Sequence, residues 1–142
     1  SPSLQGFHMT HTLGGGTGAG LGSLILEHLK DLYPKSLTMT SSVCSLLPSE
    51  QSCDFEVYNN LLSFAYLKRF ADVCFVIDNS ALAKVYKAAT APESVHAIGD
   101  LNPLICPMFA DATAPLRLPS AINSNLRAYT AQMCLGPSVK FL

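Results

Sequence analysis

Ten consecutive residues, Leu13-Gly14-Gly15-Gly16-Thr17-Gly18-Ala19-Gly20-Leu21-Gly22, hold six of the nine glycines in this 142-residue chain. Fixing glycine costs backbone entropy, so a cluster this dense belongs where the chain turns tightly or something approaches the backbone closely. A phosphate is the ligand that fits. N–H groups unshielded by Cβ atoms can form a nest, and a helix N-terminus adds unpaired donors and partial positive charge. Packing a helix on a sheet would ask for one or two glycines rather than six.

Other chemistry is thinner. A Walker loop requires Lys and then Ser or Thr after its last glycine, and the first lysine of the chain is Lys30. A dinucleotide fingerprint survives only as Gly14-x-Gly16-x-x-Ala19, and Ser45-Leu46-Leu47-Pro48 lacks the acid that would hold a ribose. His8 and His11, three apart on a strand, point to opposite faces and cannot easily share a metal ion, so both read as structural or loop-supporting, with His11 nearer the loop. Cys44, Cys53, Cys74, Cys106 and Cys134 are odd in number and form no C-x-x-C pair, which argues against a disulfide framework or zinc and for buried, reduced thiols.

The elements that must position the loop follow in order. Phe7 to Thr12 reads as a buried strand running into the glycines, and Leu21, Leu24, Ile25, Leu29 and Leu32 recur at helical spacing up to Pro34. Leu37, Met39 and Val43 alternate as a second strand, closed by Pro48 and a polar stretch, Ser49 to Asp54. Val57, Leu61, Phe64 and Ala65 give a second helix face. Val73 to Ile77 is the continuous apolar run of a central parallel strand. Asn79 or Ser80 can cap a third helix through Leu82, Val85, Tyr86 and Ala89.

Three strand-helix units in a row predict an α/β fold, an open and mostly parallel sheet with helices on both faces. Ligands in such sheets bind at the carboxyl ends of the strands, where the glycine loop, the Pro48 to Asp54 loop and Asp78-Asn79 converge. Beyond them, Leu101, Leu104, Ile105, Met108 and Phe109 have helical spacing. Pro103 belongs in the first turn there, and Pro107 would break or kink the helix. Leu126, Tyr129, Thr130 and Met133 make a last helix, and Val139 to Leu142 starts a strand. Both termini fall inside structure, so the chain reads as a fragment.

Composition bounds the partners. With 49% hydrophobic and 13% charged residues, the surface is apolar enough to need covering by other domains or subunits. No apolar run approaches the ~20 residues of a membrane span, so the membrane is not the cover. A net charge of −1, with nine scattered Lys and Arg, gives no footprint for nucleic acid.

The run Gly14-Gly15-Gly16-Thr17-Gly18-Ala19-Gly20 closely resembles the signature G-G-G-T-G-S/A-G of the tubulin and FtsZ superfamily. Ser3-Leu4-Gln5-Gly6-Phe7, Tyr58-Asn59, Ile77-Asp78-Asn79, Gly99-Asp100-Leu101-Asn102 and Asn123-x-Asn125-Leu126-Arg127 extend the resemblance to the tubulins over essentially the whole chain. It implies three parts: residues 1–97, the second half of a Rossmann-like GTPase domain; 98–114, a central helix; and 115–142, the truncated start of an intermediate domain. Divergence from the abundant α and β forms points to a minor tubulin of the δ, ε or ζ kind. Such a protein is a cytoplasmic, cytoskeletal constituent of microtubules or basal-body structures that binds GTP and makes longitudinal contacts with other tubulin subunits. Any Mg2+ ligands lie outside these residues.

The family's site transfers residue by residue. Gly14, Gly15, Gly16, Thr17 and Gly18 match the loop that holds the nucleotide phosphates, and Glu56 matches a carboxylate that contacts the ribose. Asn79 and Asn102 match two asparagines that pair with guanine, whose mixed donors and acceptor suit an amide. Read on spacing alone, both asparagines serve equally as helix caps. Ile98 stands where the family stacks an aromatic on the base, so apolar contact replaces stacking worth ~1–3 kcal/mol. Asn125 and Ala128 replace the acidic pair that the family presents to a neighbour's γ-phosphate, so the chain is not expected to activate hydrolysis there. The alternatives are a GTPase that cleaves its own GTP when a partner supplies the acid, and a degenerate fragment that binds no nucleotide.

Overall fold

The computed structural model describes residues 4–45, 55–89, 101–118, 125–136 and 138–142. Three parallel strands, β1 (Gly6–Thr12), β2 (Leu37–Cys44) and β3 (Val73–Asp78), lie side by side in sequence order. Register runs Gly6 to Leu37 and Thr12 to Val43 across the first pair, then Met39 to Val73 and Cys44 to Asp78 across the second. Crossovers of one hand place the connecting helices α1 (Gly22–Leu32) and α2 (Glu56–Phe70) on a common face. There Leu13, Leu26, Leu67, Phe70 and Cys74 form a buried cluster. On the opposite face, α3 (Asn79–Ala89) and α4 (Asn102–Arg117) close over Ile77 through Leu82, Leu101 and Ile105. Below them α5 (Leu126–Met133) packs Leu126 and Tyr129 on Met39 and Val73.

The pleat explains the second strand. Leu37, Met39 and Val43 face the α3 to α5 side, as their alternation indicated, while Thr38, Thr40 and Ser42 turn hydroxyls toward α1 and α2 and are buried. The open edge of β3 takes up the chain end: Cys74 N donates to Lys140 O (2.7 Å) and Val76 N to Leu142 O (2.9 Å), so the expected terminal strand is a short parallel bridge.

Three expectations are corrected. Neither Asn79 nor Ser80 caps α3; Asp78 does, its Oδ1 accepting from Ser80 N at 3.0 Å. Of the break or kink expected at Pro107, the break is absent: α4 runs on through Pro107 and Pro115 with Pro103 in its first turn. Cys44 and Cys74 are buried, but Cys134 is only half-buried and Cys106 is exposed. The Pro48 to Asp54 loop, Cys53, Ile98 and Asn123 lie outside the described residues. Among those described, no helix is long and apolar enough to cross a membrane, and no group of His, Cys, Asp or Glu is placed to hold a metal ion.

Candidate functional site

The glycine loop leaves β1 at Leu13, which is fully buried and whose N–H extends the ladder to Val43 O at 2.9 Å. One π-helical turn, Thr17–Leu21, then leads into α1: Gly22 N donates to Thr17 O, five residues back. No described glycine has a positive φ, and Gly16 is ordinary right-handed helix at φ −58°, ψ −40°. A nest built on left-handed residues is therefore not present. What the loop offers an anion is the helix start itself, whose first donors have no intrahelical partner.

The glycines divide by what surrounds them. A Cβ on Gly14 would stand 2.6 Å from the Glu56 side chain, one on Gly18 would collide with the Thr12 carbonyl, and one on Gly22 would lie 2.9 Å from His11 Nδ1. Packing thus accounts for three of the six. Around Gly15 only Thr12 Oγ1 comes within 4 Å, at 3.8 Å, and Gly16 and Gly20 face open space. Gly15, Gly16 and Thr17 are exposed.

Two side chains hold this shape. Asn59, one turn into α2, donates its Nδ2 to Gly14 O at 2.9 Å. His11 Nδ1 lies 2.9 Å from Gly18 O, and its Nε2 lies 2.9 Å from Ser42 Oγ. A carbonyl only accepts, so Nδ1 carries the proton and Nε2 takes one from Ser42. Burial lowers the His11 pKa below 6.5, opposed by the bond to Gly18, and keeps that neutral tautomer. His8 bonds Ser41 at 2.8 Å on the opposite face of the sheet, as the three-residue spacing required. His11 supports the loop, as its position suggested. Asn59 was visible only as part of the Tyr58-Asn59 pair, with no role legible from spacing.

Further along the same edge, Asn60 Nδ2 donates to Ser45 O at 3.0 Å and Ser45 Oγ meets Ser80 Oγ at 3.1 Å, tying α2 to the start of α3. Asn79 opens α3, and its Oδ1 is buried without a hydrogen-bond partner. Asn102 opens α4, exposed, one residue past the N-cap Leu101. The two asparagines flank a shared apolar cluster, Ile77 with Leu82 on one side and Leu101 with Ile105 on the other. Glu56 touches the glycine loop at the end of β1, whereas Asn79 follows β3, two strands across the sheet, and Asn102 opens the helix packed beside it.

Asn125 and Ala128 belong together in another way. Asn125 Oδ1 accepts from Ala128 N at 2.7 Å as the N-cap of α5, so its side chain is spent on the helix terminus.

Residues 1–87 match the model of the Tubulin/FtsZ family, GTPase domain. The chain belongs to that family. It is 40% identical to the tubulin beta chain of Aspergillus fumigatus over 140 residues, 97% of this chain and 30% of that one. It is 39% identical to the tubulin beta-3 chain of Oomycete-like sp. (strain MacKay2000), with 97% and 31% covered. Identity to the Saccharomyces cerevisiae tubulin beta chain is 38% over 141 residues, 98% and 30%. The chain thus spans just under a third of the length of these curated relatives.

Proposed function

We propose that this chain is the phosphate-cradling and base-contacting part of a GTP-binding, tubulin-like cytoskeletal subunit. The observation that carries the reading is the open side of the glycine loop: Gly15, Gly16 and Thr17 present an exposed helix start with nothing among the described residues packed over it, while Gly14 and Gly18 are clamped from behind. The buried Asn79 Oδ1 supports a guanine in particular, since it is an acceptor in want of a donor and the guanine edge supplies N1–H and N2–H. Gly14 to Gly18 with Thr17 would hold phosphate, Glu56 the ribose, and Asn79 and Asn102 the base. In the same reading residues 1–97 belong to the GTPase domain, 98–114 to the central helix and 115–142 to the intermediate domain. Its partners are other tubulin subunits, in microtubules or basal-body structures of the cytoplasm.

Titration of the intact protein with a fluorescent GTP analogue, competed by GTP and by ATP, tests this. Displacement by GTP far better than by ATP, lost in Gly15→Val, is the expected result. No binding, or equal displacement by both nucleotides, refutes it.

A second element of the reading concerns hydrolysis. With Asn125 committed to its cap and Ala128 offering only a methyl, the chain brings no carboxylate to a neighbour's γ-phosphate from these positions. GTP held here would then be cleaved only when a partner supplies the acid. Turnover in mixed assemblies should rise when Asn125→Asp and Ala128→Glu are introduced together, the first of which keeps a capping side chain. An unchanged rate would remove this element.

A further inference from the structure

We propose that the groove between α1 and α2 is a second ligand site, for a small apolar molecule bearing a protonated amine, and that its occupancy is felt by the glycine loop. The groove holds about 450 Å³, within the range of small-molecule sites, ~300–1,000 Å³. Its walls are apolar: Leu24 from α1, Leu62 and Tyr66 from α2. Four polar side chains break that lining, Ser23, Glu27, Asn59 and Ser63, and two of these set what the groove can bind.

The first is Ser63, 1% exposed, whose Oγ is buried on the groove wall without a hydrogen-bond partner. A helical hydroxyl ordinarily satisfies itself by bonding the carbonyl four residues back. Thr113 does so to Phe109 O and Thr130 to Leu126 O, both at 2.8 Å. Ser63 does not, so a donor and an acceptor remain for an occupant. The second is Glu27, half-buried on the α1 side and without an ion-pair partner among the described residues, where Lys30 pairs with Asp72 instead. An apolar body with one cationic head matches walls and handles together.

The floor of the groove gives the coupling. Ala19 and Gly20 belong to the π-helical turn, and Asn59 is the side chain that holds Gly14 O. An occupant pressing on these residues fixes the same turn and clamp that shape the loop, so each ligand changes the affinity of the other by one common factor. Coupling to nucleotide rests on the function proposed above, whereas amine binding does not.

The test titrates 4-phenylbutylamine, and its neutral counterpart 4-phenylbutanol, into the intact protein without nucleotide, followed by calorimetry. The amine should bind more tightly than the alcohol. Glu27→Gln should cut amine affinity about tenfold, the loss of one charge-assisted hydrogen bond, and leave the alcohol unchanged. Ser63→Ala should weaken both, and Leu24→Trp, at a position 46% exposed and so tolerant of size, should abolish both while the melting temperature holds. Absence of binding by wild type, or equal binding of amine and alcohol indifferent to Glu27→Gln, overturns the site. The titration is then repeated with saturating GTP. An altered amine affinity supports the coupling, and an unaltered one in protein that demonstrably binds GTP overturns it. If GTP itself does not bind, the function proposal fails while the groove stands on its own result.

Discussion

Two alanine substitutions two residues apart should have opposite effects. In Gly18→Ala the new methyl would be driven into the Thr12 carbonyl, with Thr12 Oγ1 at 2.7 Å as well. Thr12 is the last residue of β1, paired with Val43, and the next N–H is bonded to Val43 O at 2.9 Å, so the strand cannot give way without losing its register. Overpacking of this kind costs ~1–3 kcal/mol, and a backbone neighbour puts it at the upper end. Replacing a helical glycine by alanine returns ~1 kcal/mol, which leaves a net loss of about 2 kcal/mol. Gly16→Ala meets no atom within 4 Å and already has helical angles, φ −58° and ψ −40°. It should therefore gain ~0.5–1 kcal/mol. Urea unfolding of the two variants should separate them by roughly 3 kcal/mol at unchanged m-value. Nucleotide binding should rank the other way for Gly16→Ala, whose methyl occupies the side offered to phosphate. If Gly18→Ala is as stable as wild type, or if the two lose equally, the division into packed and open glycines is wrong.

Asn79→Ala should leave the unfolding midpoint within ~1 kcal/mol of wild type, since the amide oxygen has no partner to lose, while guanine nucleotide affinity measured by calorimetry drops roughly tenfold. Asn59→Ala should do the reverse in part: its bond to Gly14 O is real at 2.9 Å, so ~1 kcal/mol of stability goes with it, read by the same unfolding assay. His8 and His11 have folded pKa values below 6.5, both through burial. The unfolded chain then takes up protons that the folded chain refuses, so stability is complete above pH 6.5 and declines as pH falls below it. Melting between about pH 7.5 and about pH 5.5 should show that decline, with a smaller slope in His11→Gln. Iodoacetamide at mild alkaline pH should label exposed Cys106 before Cys44 and Cys74, because burial pushes the Cys44 thiol up to about 11 and raises Cys74 as well. Mass spectrometry of the native protein reads the order.

Much of this was legible in the chain because period and punctuation are local. Strand, glycine loop and helix, then two more strand-helix units, follow from the spacing of Leu24, Leu29, Met39 and Val73 to Ile77, and the parallel sheet follows from their order. Long-range partners are what spacing cannot give. Asn59 and Gly14 are 45 residues apart in sequence and His11 and Ser42 are 31, so neither clamp has a signature within any window of the chain. The caps were misplaced for a related reason. Asp78, Asn79 and Ser80 are all competent cap residues, and only the backbone direction at the end of β3 selects Asp78. Cys106 reads as buried on composition, but α4 turns that face outward.

The polar character of β2 ties these points together. A central strand carrying Thr38, Thr40, Ser41 and Ser42, all buried, has little apolar surface on its α1 side to lock a neighbour in place. Position there is set by directed bonds instead: Thr38 N to Asp72 Oδ2 at 2.8 Å, Asp72 to Lys30 at 2.7 Å, and Ser42 through His11 to Gly18 O. Directed bonds fix an angle where packing fixes only a distance. A loop that aims N–H groups at an anion, as proposed above, needs the angle. The glycines strip away side chains on its open side, Gly14 and Gly18 let Glu56 and Thr12 press against its back, and the His11 relay sets its rotation. Substituting apolar residues along β2 would preserve burial and still lose the geometry that makes the glycine cluster useful.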